Sequence, residues 1–396
     1  MPAGSENNIV RFLLILCNDS LTEAGTEEAV RLASGIREWE RFSDLAVRNG
    51  IAAFIIENII ENNLQHLLPA EELNKLQAFR NKTLARVTFL NVTAAEISGT
   101  LAKHGIKTVL LKGAALEATV YGNKGLRQMN DIDILVSEDR SIEAWDILRC
   151  CGYEDRPLKS PLYKKIVTEL GNHLPELHAR GISVDIHHSL FQKHARQLTA
   201  RGIEEALPVD VCGVRCYVLP PRLAFLGMIK HIQKHGVKGE FQVRLYLDLF
   251  LLLKHNREQI LCPVLAEEAE EAGISKDLSA VLYLLTYYFK ADIPPACFSD
   301  VADRALQKYR SAFYKGITNP GRIDVEKNRY IYEYNLNAIK GMRSRLIFLA
   351  GDIFPSVHFM KQRYRTKNLF MVLLHYPLRA GKLFWFIRGL IRGYKK

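Results

Sequence analysis

The chain has 396 residues, of which 54 are Lys or Arg and 43 are Asp or Glu, so its formal net charge is +11. Hydrophobic residues make up 48% and charged residues 24%, which excludes a largely disordered, collagen-like or low-complexity chain. Residues 340–396 hold 13 of the basic residues and one acidic residue, Asp352, so the body of the chain is nearly neutral. A neutral body weighs against a protein that follows nucleic acid along a broad basic face.

Seven cysteines are scattered along the chain, at positions 17, 150, 151, 212, 216, 262 and 297. They form no Cys-x-x-Cys pair and no zinc-finger spacing, so we expect free thiols in a reducing compartment. No segment reaches the roughly 18 uninterrupted apolar residues of a spanning helix, and no secretory signal is convincing. We therefore expect a cytoplasmic protein.

The first predicted region, residues 1–104, is helical throughout. Ile9, Phe12, Leu13 and Leu16 have the three- and four-residue spacing of an amphipathic helix. A longer pattern of the same kind covers residues 71–103 without proline, and Gly105 is expected to end that helix.

The second predicted region, residues 105–218, alternates in the manner of a sheet. Strands are predicted at 107–111 and 131–136, and a helix is predicted at 141–151. Residues 173–178 and 183–188 alternate apolar and polar side chains around a glycine-containing turn, which predicts a β-hairpin. One further strand is predicted at 211–218. The expected fold class is α+β, a small mixed-sheet core flanked by helical N- and C-terminal regions.

The third predicted region, residues 219–339, returns to helical patterns. His231 and His235 lie one helical turn apart but have no third candidate metal ligand in the sequence. Arg244 and Asp248 have the same spacing and are expected to pair with each other within one helix.

The last predicted region, residues 340–396, is a basic amphipathic tail. Its apolar stripe, with basic side chains beside it, suits an anionic membrane surface or packing against the body. The stripe comprises Leu383, Phe384, Ile387, Leu390 and Ile391, beside Lys382, Arg388 and Arg392.

The segment that carries chemistry begins where a predicted strand reaches Lys112 and Gly113. A helix is expected to begin at Ala114, so its free N–H groups point into a turn that no side chain blocks at the glycine. Such a helix start binds anions, including the phosphates of a nucleotide.

Two carboxylates follow on the next predicted strand. Asp131 and Asp133 flank Ile132, so the two-residue period of a strand places both on one face. Neighbouring like charges favour a shared cation, and Mg²⁺ usually binds carboxylates together with substrate phosphates. Taken alone, however, an Asp-x-Asp pattern is more typical of two exposed acids on an edge strand.

A third carboxylate, Asp185, lies in another predicted strand. Carboxylates on neighbouring strands can hold two metal ions about 4 Å apart, which clamp the attacking and leaving oxygens of an in-line displacement. His187 lies on the same face as Asp185, where it either orients a phosphate or carboxylate or makes a structural hydrogen bond. His173 and His178 are expected to be surface or hairpin residues.

Together these residues resemble the nucleotidyltransferase superfamily that includes DNA polymerase beta, and most closely its family of uncharacterised bacterial nucleotidyltransferases. The likeness rests on Leu-Lys-Gly before a helix, a Tyr after it, an Arg before Asp-Ile-Asp-Ile-Leu-Val, and a later Val-Asp-Ile-His. It covers residues 107–190 closely and the remaining chain loosely, including the Phe-Pro-Ser stretch at 354–356.

The resemblance implies that the helix start binds an NTP. Gly113 and the helix beginning at Ala114 would hold the triphosphate, and Lys112 and Arg127 would contact its phosphates. One departure from the superfamily is Ala114, which stands where a Ser hydroxyl usually helps to hold the phosphates.

The resemblance also implies metal-dependent catalysis. Asp131, Asp133 and Asp185 would bind Mg²⁺, or Mn²⁺ as the alternative ion, and Asp185 would help to deprotonate an acceptor hydroxyl. His187 is an accessory candidate.

The predicted function is transfer of an NMP group from an NTP to a hydroxyl of a small molecule, a sugar or a protein. Because of Ala114, one alternative is a non-catalytic binding or scaffold protein with the same fold. Another is an enzyme that acts on RNA through the basic tail, although the neutral body makes nucleic acid a less favoured partner. Peripheral contact of the tail with anionic membrane, at the inner face, is a further expectation.

Overall fold

The first part of the chain folds into five α-helices. In this computed structural model the described residues are 4–155, 159–160, 162, 172–191, 195–238, 241–298, 301–320, 339, 341–379 and 381. The first five helices are α1 (Gly4–Ile15), α2 (Glu23–Ala33), α3 (Trp39–Arg48), α4 (Ala52–Glu61) and α5 (Ala70–Lys103). The long predicted helix at 71–103 is confirmed, and Gly105 adopts a φ of +71° just after it, which suits a helix end.

A mixed sheet of seven strands follows among the described residues. Its strands are β1 (Val109–Leu110), β2 (Asp131–Leu135), β3 (Glu154–Asp155), β4 (Leu177–Ala179), β5 (Ile182–His187), β6 (Leu207–Val211) and β7 (Val214–Val218). Helix α6 (Lys112–Thr119) follows β1, and α7 (Ser141–Cys150) follows β2. The order across the sheet is β3-β4-β5-β2-β1-β7-β6, with β2 parallel to β5 and β1 parallel to β7.

The register between the two central strands brings the acidic positions together. In the parallel pair β2 and β5, Asp133 lies opposite Asp185 and Leu135 lies opposite His187. Apolar residues that alternate with them are buried, including Ile132, Ile134 and Val184. One face of these strands therefore packs into the core while the other carries the polar residues.

The predicted hairpin is confirmed, although β4 begins later than expected, at Leu177. Its turn residues, Arg180 and Gly181, have φ values of +51° and +73°, the left-handed geometry that suits a tight hairpin turn. His173 forms only an isolated bridge with His187.

The strand predicted at 211–218 is confirmed at 214–218, where β7 lies, but residues 211–213 belong to the end of β6 and the turn that follows it. Cys212 and Gly213 have φ values of +52° and +78°, and they connect β6 to β7 as a second hairpin. Strand β6 was not recognised from the sequence because it contains Pro208, which cannot donate a backbone hydrogen bond and is tolerated on an edge strand.

The helices after β5 cover much of the remaining described chain; the first of them lies between β5 and β6, and the others follow β7. They are α8 (Arg196–Glu204), α9 (Pro221–Lys238), α10 (Val243–His255), α11 (Arg257–Ile260), α12 (Leu265–Glu271), α13 (Ser275–Phe289), α14 (Asp303–Thr318), α15 (Met342–Ile353) and α16 (Val357–Arg363). A further helix has its described part at 369–379.

Helices from before and after the sheet share one hydrophobic core. Phe12 and Phe42 from the first region belong to the same buried cluster as Phe225 and Phe313 from the later helices. A second cluster lies along the sheet and includes Trp145. The expected fold class, an α+β chain with a small mixed sheet and helical flanks, is confirmed, while the boundaries at 104, 218 and 339 remain predictions.

Two further expectations concern cysteines and the tail. All seven cysteines are free thiols. Within the described residues, no helix has both the length and the apolar character needed to cross a membrane. The apolar stripe predicted at 383–391 lies outside the described residues.

Candidate active site

Lys112 lies beside Asp133 because it is the first residue of α6, close to the end of β1. It follows β1 directly and begins α6 with a φ of +46°, a conformation that is uncommon for residues other than glycine. Its Nζ donates a hydrogen bond of 2.5 Å to Oδ1 of Asp133, whose side chain is almost fully buried. A residue kept in an unfavourable backbone conformation beside a charged group is typical of a functional position.

Asp133, Asp185 and His187 form the group best able to hold a metal ion. One oxygen of each carboxylate and one ring nitrogen of His187 all lie within 4.8 Å of one another. The parallel register of β2 and β5 explains this, because the two aspartates are directly opposite and His187 is two residues further along the same face. Nε2 of His187 also lies 2.8 Å from Oδ1 of Asp133.

The carboxylates of this cluster outnumber its one ammonium group, that of Lys112, and their pKa values differ. Burial would raise the pKa of Asp133, but the Lys112 ammonium and hydrogen bonds from His187 and Lys112 hold it well below its usual range. Burial and then the negative charge of Asp133 raise the pKa of Asp185 to about 7. Asp131 also has a raised pKa, although it keeps contact with solvent, because neighbouring groups partly remove its carboxyl from water and because Asp133 is negatively charged. The carboxylates therefore carry more negative charge than Lys112 balances, and a further cation would stabilise them.

Asp131 is placed differently from the other two predicted carboxylates. It is the exposed first residue of β2, opposite Ser183, and lies outside the group formed by Asp133, Asp185 and His187. Its charge nonetheless acts on the pKa of Asp185. Asp131 therefore lies beside the cluster, at its solvent-facing side.

Burial favours the neutral form of both histidines at the site. Burial lowers the pKa of His187 in spite of its hydrogen bond to Asp133, and burial and His187 lower the pKa of His173 to about 4. The rings of these two histidines lie with their centroids 5.3 Å apart. His173, expected at the surface or in the hairpin, is half-buried and extends the hairpin through an isolated backbone bridge to His187.

Gly113 is needed for packing within the fold. A Cβ at this position would lie 2.5 Å from Nη1 of Arg127 and 3.0 Å from Sδ of Met129. Ala114, the next residue, is 3% exposed and belongs to the hydrophobic cluster along the sheet. The sequence suggested an open anion-binding turn. In the structure the side chains of Arg127 and Met129 fill part of this turn.

Arg127 has a buried partner that the sequence analysis did not identify. Its Nη2 donates to Oδ2 of Asp248 at 2.8 Å, and Tyr121 Oη donates to Oδ1 of the same carboxylate at 2.8 Å. Arg127 is 6% exposed and Asp248 is 0% exposed. The guanidinium that was expected at the phosphates thus pairs with a carboxylate on α10, and a phosphate contact by Arg127 remains an untested prediction.

The predicted pairing of Arg244 with Asp248 is wrong. Nη1 of Arg244 donates to the carbonyl oxygen of Gln128, whereas Asp248 turns across to Arg127. One sequence signal points to this arrangement: Asp248 interrupts an apolar stretch of α10, and a buried carboxylate needs a cation or hydrogen-bond donors.

Helix α9 contributes a further pair of histidines near this site. Nε2 of His231 and Nε2 of His235 lie 3.0 Å apart. Burial and then the charge of Lys112 lower the pKa of His231, which indicates that this part of α9 lies on the Lys112 side of the site. Within the described chain, no third ligand joins these two histidines to form a metal-binding group.

Comparisons with known proteins agree with the motif. No curated protein and no solved structure matches the chain. The profile of one protein family, described as an uncharacterised nucleotidyltransferase, matches residues 36–290. This range contains β1, α6, β2 and β5 and also Asp248, and it covers more than half of the chain. The chain therefore belongs to this family of uncharacterised nucleotidyltransferases.

Proposed function

We propose that this protein transfers an NMP group from an NTP to a hydroxyl of a small molecule, a sugar or a protein, with Mg²⁺ or Mn²⁺ as its ion. The observation that carries this proposal is the cluster of Asp133, Asp185 and His187 beside Lys112, in a chain that belongs to a nucleotidyltransferase family.

The side chains fit a divalent cation. Two carboxylate oxygens and one neutral imidazole nitrogen converge, and oxygen donors with a single nitrogen suit Mn²⁺ as well as Mg²⁺. The ammonium group of Lys112 already donates a hydrogen bond to Asp133, which supports the view that the surroundings of this carboxylate favour positive charge. A bound ion would orient the phosphates and neutralise the charge that develops during transfer.

The protein groups have distinct roles in the proposed reaction. Asp133 and Asp185 bind the ion, with Asp131 and His187 as additional ligands or as partners that orient them. Asp185, which lies opposite Asp133 on the neighbouring strand, would also accept the proton of the acceptor hydroxyl as its oxygen attacks the α-phosphate and pyrophosphate leaves.

Binding of the triphosphate depends on Lys112 and the start of α6. Lys112 supplies an ammonium group, and the first turn of α6 supplies backbone N–H groups and the positive end of the helix dipole. These groups take the place of the hydroxyl that Ala114 lacks. Because Gly113 has no Cβ, the side chains of Arg127 and Met129 can pack directly against the turn.

The acceptor and the compartment follow from charge and cysteine chemistry. Outside residues 340–396 the chain is almost neutral, which favours a small or protein acceptor over a long nucleic acid. Free thiols favour the reducing cytoplasm, where NTPs are also present.

The proposed function is tested by labelling. The full chain is incubated with each radiolabelled NTP, Mg²⁺ or Mn²⁺, and candidate acceptors, and transfer of the label is measured. Asp133→Asn is expected to abolish transfer while circular dichroism stays unchanged. Asp139→Asn, which alters an exposed acid just beyond β2, is the matched control and should retain full transfer.

Three results would contradict this proposal. Labelling by Asp133→Asn at the rate of the unmodified protein would exclude the metal assignment. Absence of metal-dependent NTP binding in calorimetry, with a folded protein, would support the non-catalytic scaffold instead. RNA labelling that is steeply salt-dependent and lost on removal of residues 340–396 would favour the RNA-directed enzyme.

A further inference from the structure

The residues 341–379, here called the C-terminal surface, expose an unusual number of large apolar side chains. Ten of the eighteen exposed large hydrophobic residues among the described residues lie within this short stretch. They are Met342, Leu346, Phe354, Val357, Leu369, Phe370, Met371, Leu373, Leu374 and Leu378. A concentration of this kind marks an interaction surface, since scattered single apolar residues are the usual condition of a protein exterior.

The helix at 369–379 packs through one face against described residues of the preceding segment. Val372 is fully buried, Tyr376 Oη donates to the carbonyl oxygen of Pro355 at 2.6 Å, and Nε of Arg379 donates to the carbonyl oxygen of Asp352 at 2.8 Å. These contacts hold one face of the helix against the preceding segment and so determine which face points outward.

The outward face of this helix is apolar. Phe370, Leu374 and Leu378 follow one another at intervals of four residues and are 66%, 49% and 61% exposed. Residues at this spacing form a continuous stripe on a helix. An ordinary surface helix presents polar residues to water, so this helix has the opposite arrangement.

Basic side chains are also exposed on the C-terminal surface, and its exposed part has no acidic side chain. Six basic residues of this surface are exposed, namely Arg343, Arg345, Lys361, Arg363, Arg365 and Lys367. Its one acidic residue, Asp352, is buried and paired with Lys159. The surface therefore combines apolar area with positive charge of a single sign.

We propose that the C-terminal surface binds the surface of an anionic lipid bilayer, with the stripe of Phe370, Leu374 and Leu378 in the interfacial region. Exposed apolar side chains with adjacent Lys and Arg are the two features that hold a helix at an anionic membrane. The charge decides against a second copy of this chain, because a two-fold contact through the same surface would bring its basic residues together without acidic partners.

The test uses the full chain and two kinds of vesicle. Co-sedimentation is measured with vesicles of phosphatidylcholine alone and with vesicles of equal parts phosphatidylcholine and phosphatidylglycerol. We expect the protein to pellet with the anionic vesicles and to stay in solution with the neutral ones. Raising the salt concentration should weaken the binding, because the attraction of the basic residues is screened.

Two variants separate the apolar and the charged contributions. The double variant Phe370→Ser, Leu374→Ser should lower the fraction bound by at least tenfold, since burial of each large apolar side chain at the interface is lost. Reversal of Lys361 and Arg363 to Glu should lower the partition coefficient by a factor of about 25 or more, at about fivefold for each basic residue removed. The control Phe89→Ser, Val92→Ser changes exposed apolar residues on α5 and should bind as the unmodified chain does.

Each alternative outcome overturns the proposal. Equal sedimentation with neutral and anionic vesicles would exclude an anionic bilayer as the partner, and unchanged binding by both variants would exclude the C-terminal surface as the part of the chain that binds it. Light scattering that shows a dimer, converted to a monomer by Phe370→Ser and Leu374→Ser, would assign the surface to a second copy. Because sedimentation needs no nucleotide, this result is independent of whether the chain transfers NMP.

Discussion

Two charged clusters lie close together in this protein, and they differ in how their charges are balanced. In the cluster around Arg127, one guanidinium faces one carboxylate, Asp248, which Tyr121 also stabilises by a hydrogen bond, and all three side chains are buried. In the cluster around Asp133, the carboxylates outnumber the single ammonium of Lys112. Removal of one partner from a balanced and buried cluster leaves an uncompensated charge in the core, whereas an unbalanced cluster favours an additional cation.

The network around Arg127 also supports the loop that leads to the site. The backbone N–H groups of Gly125 and Arg127 donate to the two oxygens of Glu117, at 2.6 and 3.1 Å. The same arginine lies against Gly113, so the structural cluster and the start of α6 are in direct contact. Damage to the first cluster should therefore alter stability, and damage to the second should alter chemistry.

The largest expected effect is on stability. Asp248→Asn leaves the buried Arg127 guanidinium without a counter-charge and should lower the free energy of unfolding by about 3–5 kcal/mol. Chemical denaturation followed by circular dichroism measures this loss. The double variant Arg127→Met, Asp248→Leu removes both charges and should be more stable than Asp248→Asn. Equal stability of Asp248→Asn and the unmodified chain would show that the pair is not structural.

The next largest effect concerns the rate of transfer and tests the cluster around Asp133. Asp185→Asn should lower the rate of transfer by on the order of 10²–10³-fold, the size found when one preorganised catalytic group is removed. The metal-free protein should nevertheless become more stable above pH 7. The folded-state pKa of about 7 exceeds the value of an unfolded aspartate, so ionisation of Asp185 destabilises the fold increasingly between these two values and fully above pH 7.

Melting temperature measured without metal at several pH values checks this second part. The variant and the unmodified chain should converge at acidic pH, where Asp185 is protonated in both states. A variant that is less stable than the unmodified chain at pH 8 would place Asp185 in the structural category with Asp248.

A smaller effect concerns Lys112, whose ammonium group pairs with Asp133. Lys112→Met removes the ammonium that competes for this carboxylate, so the affinity for Mn²⁺ without nucleotide should rise by about tenfold or more, since a neighbouring unit charge contributes on the order of 1–4 kcal/mol. Binding of NTP should weaken in the same variant. Calorimetric titration measures both, and Lys124→Met, which removes an exposed lysine paired with Glu61, is the control. Weaker Mn²⁺ binding by Lys112→Met would contradict the proposed competition.

The smallest expected effect tests the departure at Ala114. Ala114→Ser should increase affinity for NTP by roughly threefold to tenfold, the value of one additional hydrogen bond of about 0.5–1.5 kcal/mol. Ala115→Ser, one residue further along α6, adds the same hydroxyl without the expected contact. If both variants bind NTP as the unmodified chain does, the hydroxyl at position 114 is irrelevant to phosphate binding in this protein.

Local patterns were enough to predict the long helix α5, the hairpin of β4 and β5, and the helical character of both flanks. Each depends on features that are close together in the chain, such as a period of 3.6 residues or a glycine at a tight turn. The hairpin of β6 and β7 was not predicted, because Pro208 obscured the first strand and the turn at Cys212 has few sequence signals.

By itself the sequence determined the family and the set of acidic residues worth examining, because the motif residues lie on short segments with a regular period. Tertiary structure decided which of them meet. The parallel register of β2 and β5 places Asp133 opposite Asp185. The backbone bridge between His173 and His187 brings their two imidazole rings together, which the positions of these residues in the sequence do not predict. Only the packing of α10 against the segment between α6 and β2 shows that Arg127 pairs with Asp248, since 121 positions separate these residues along the chain.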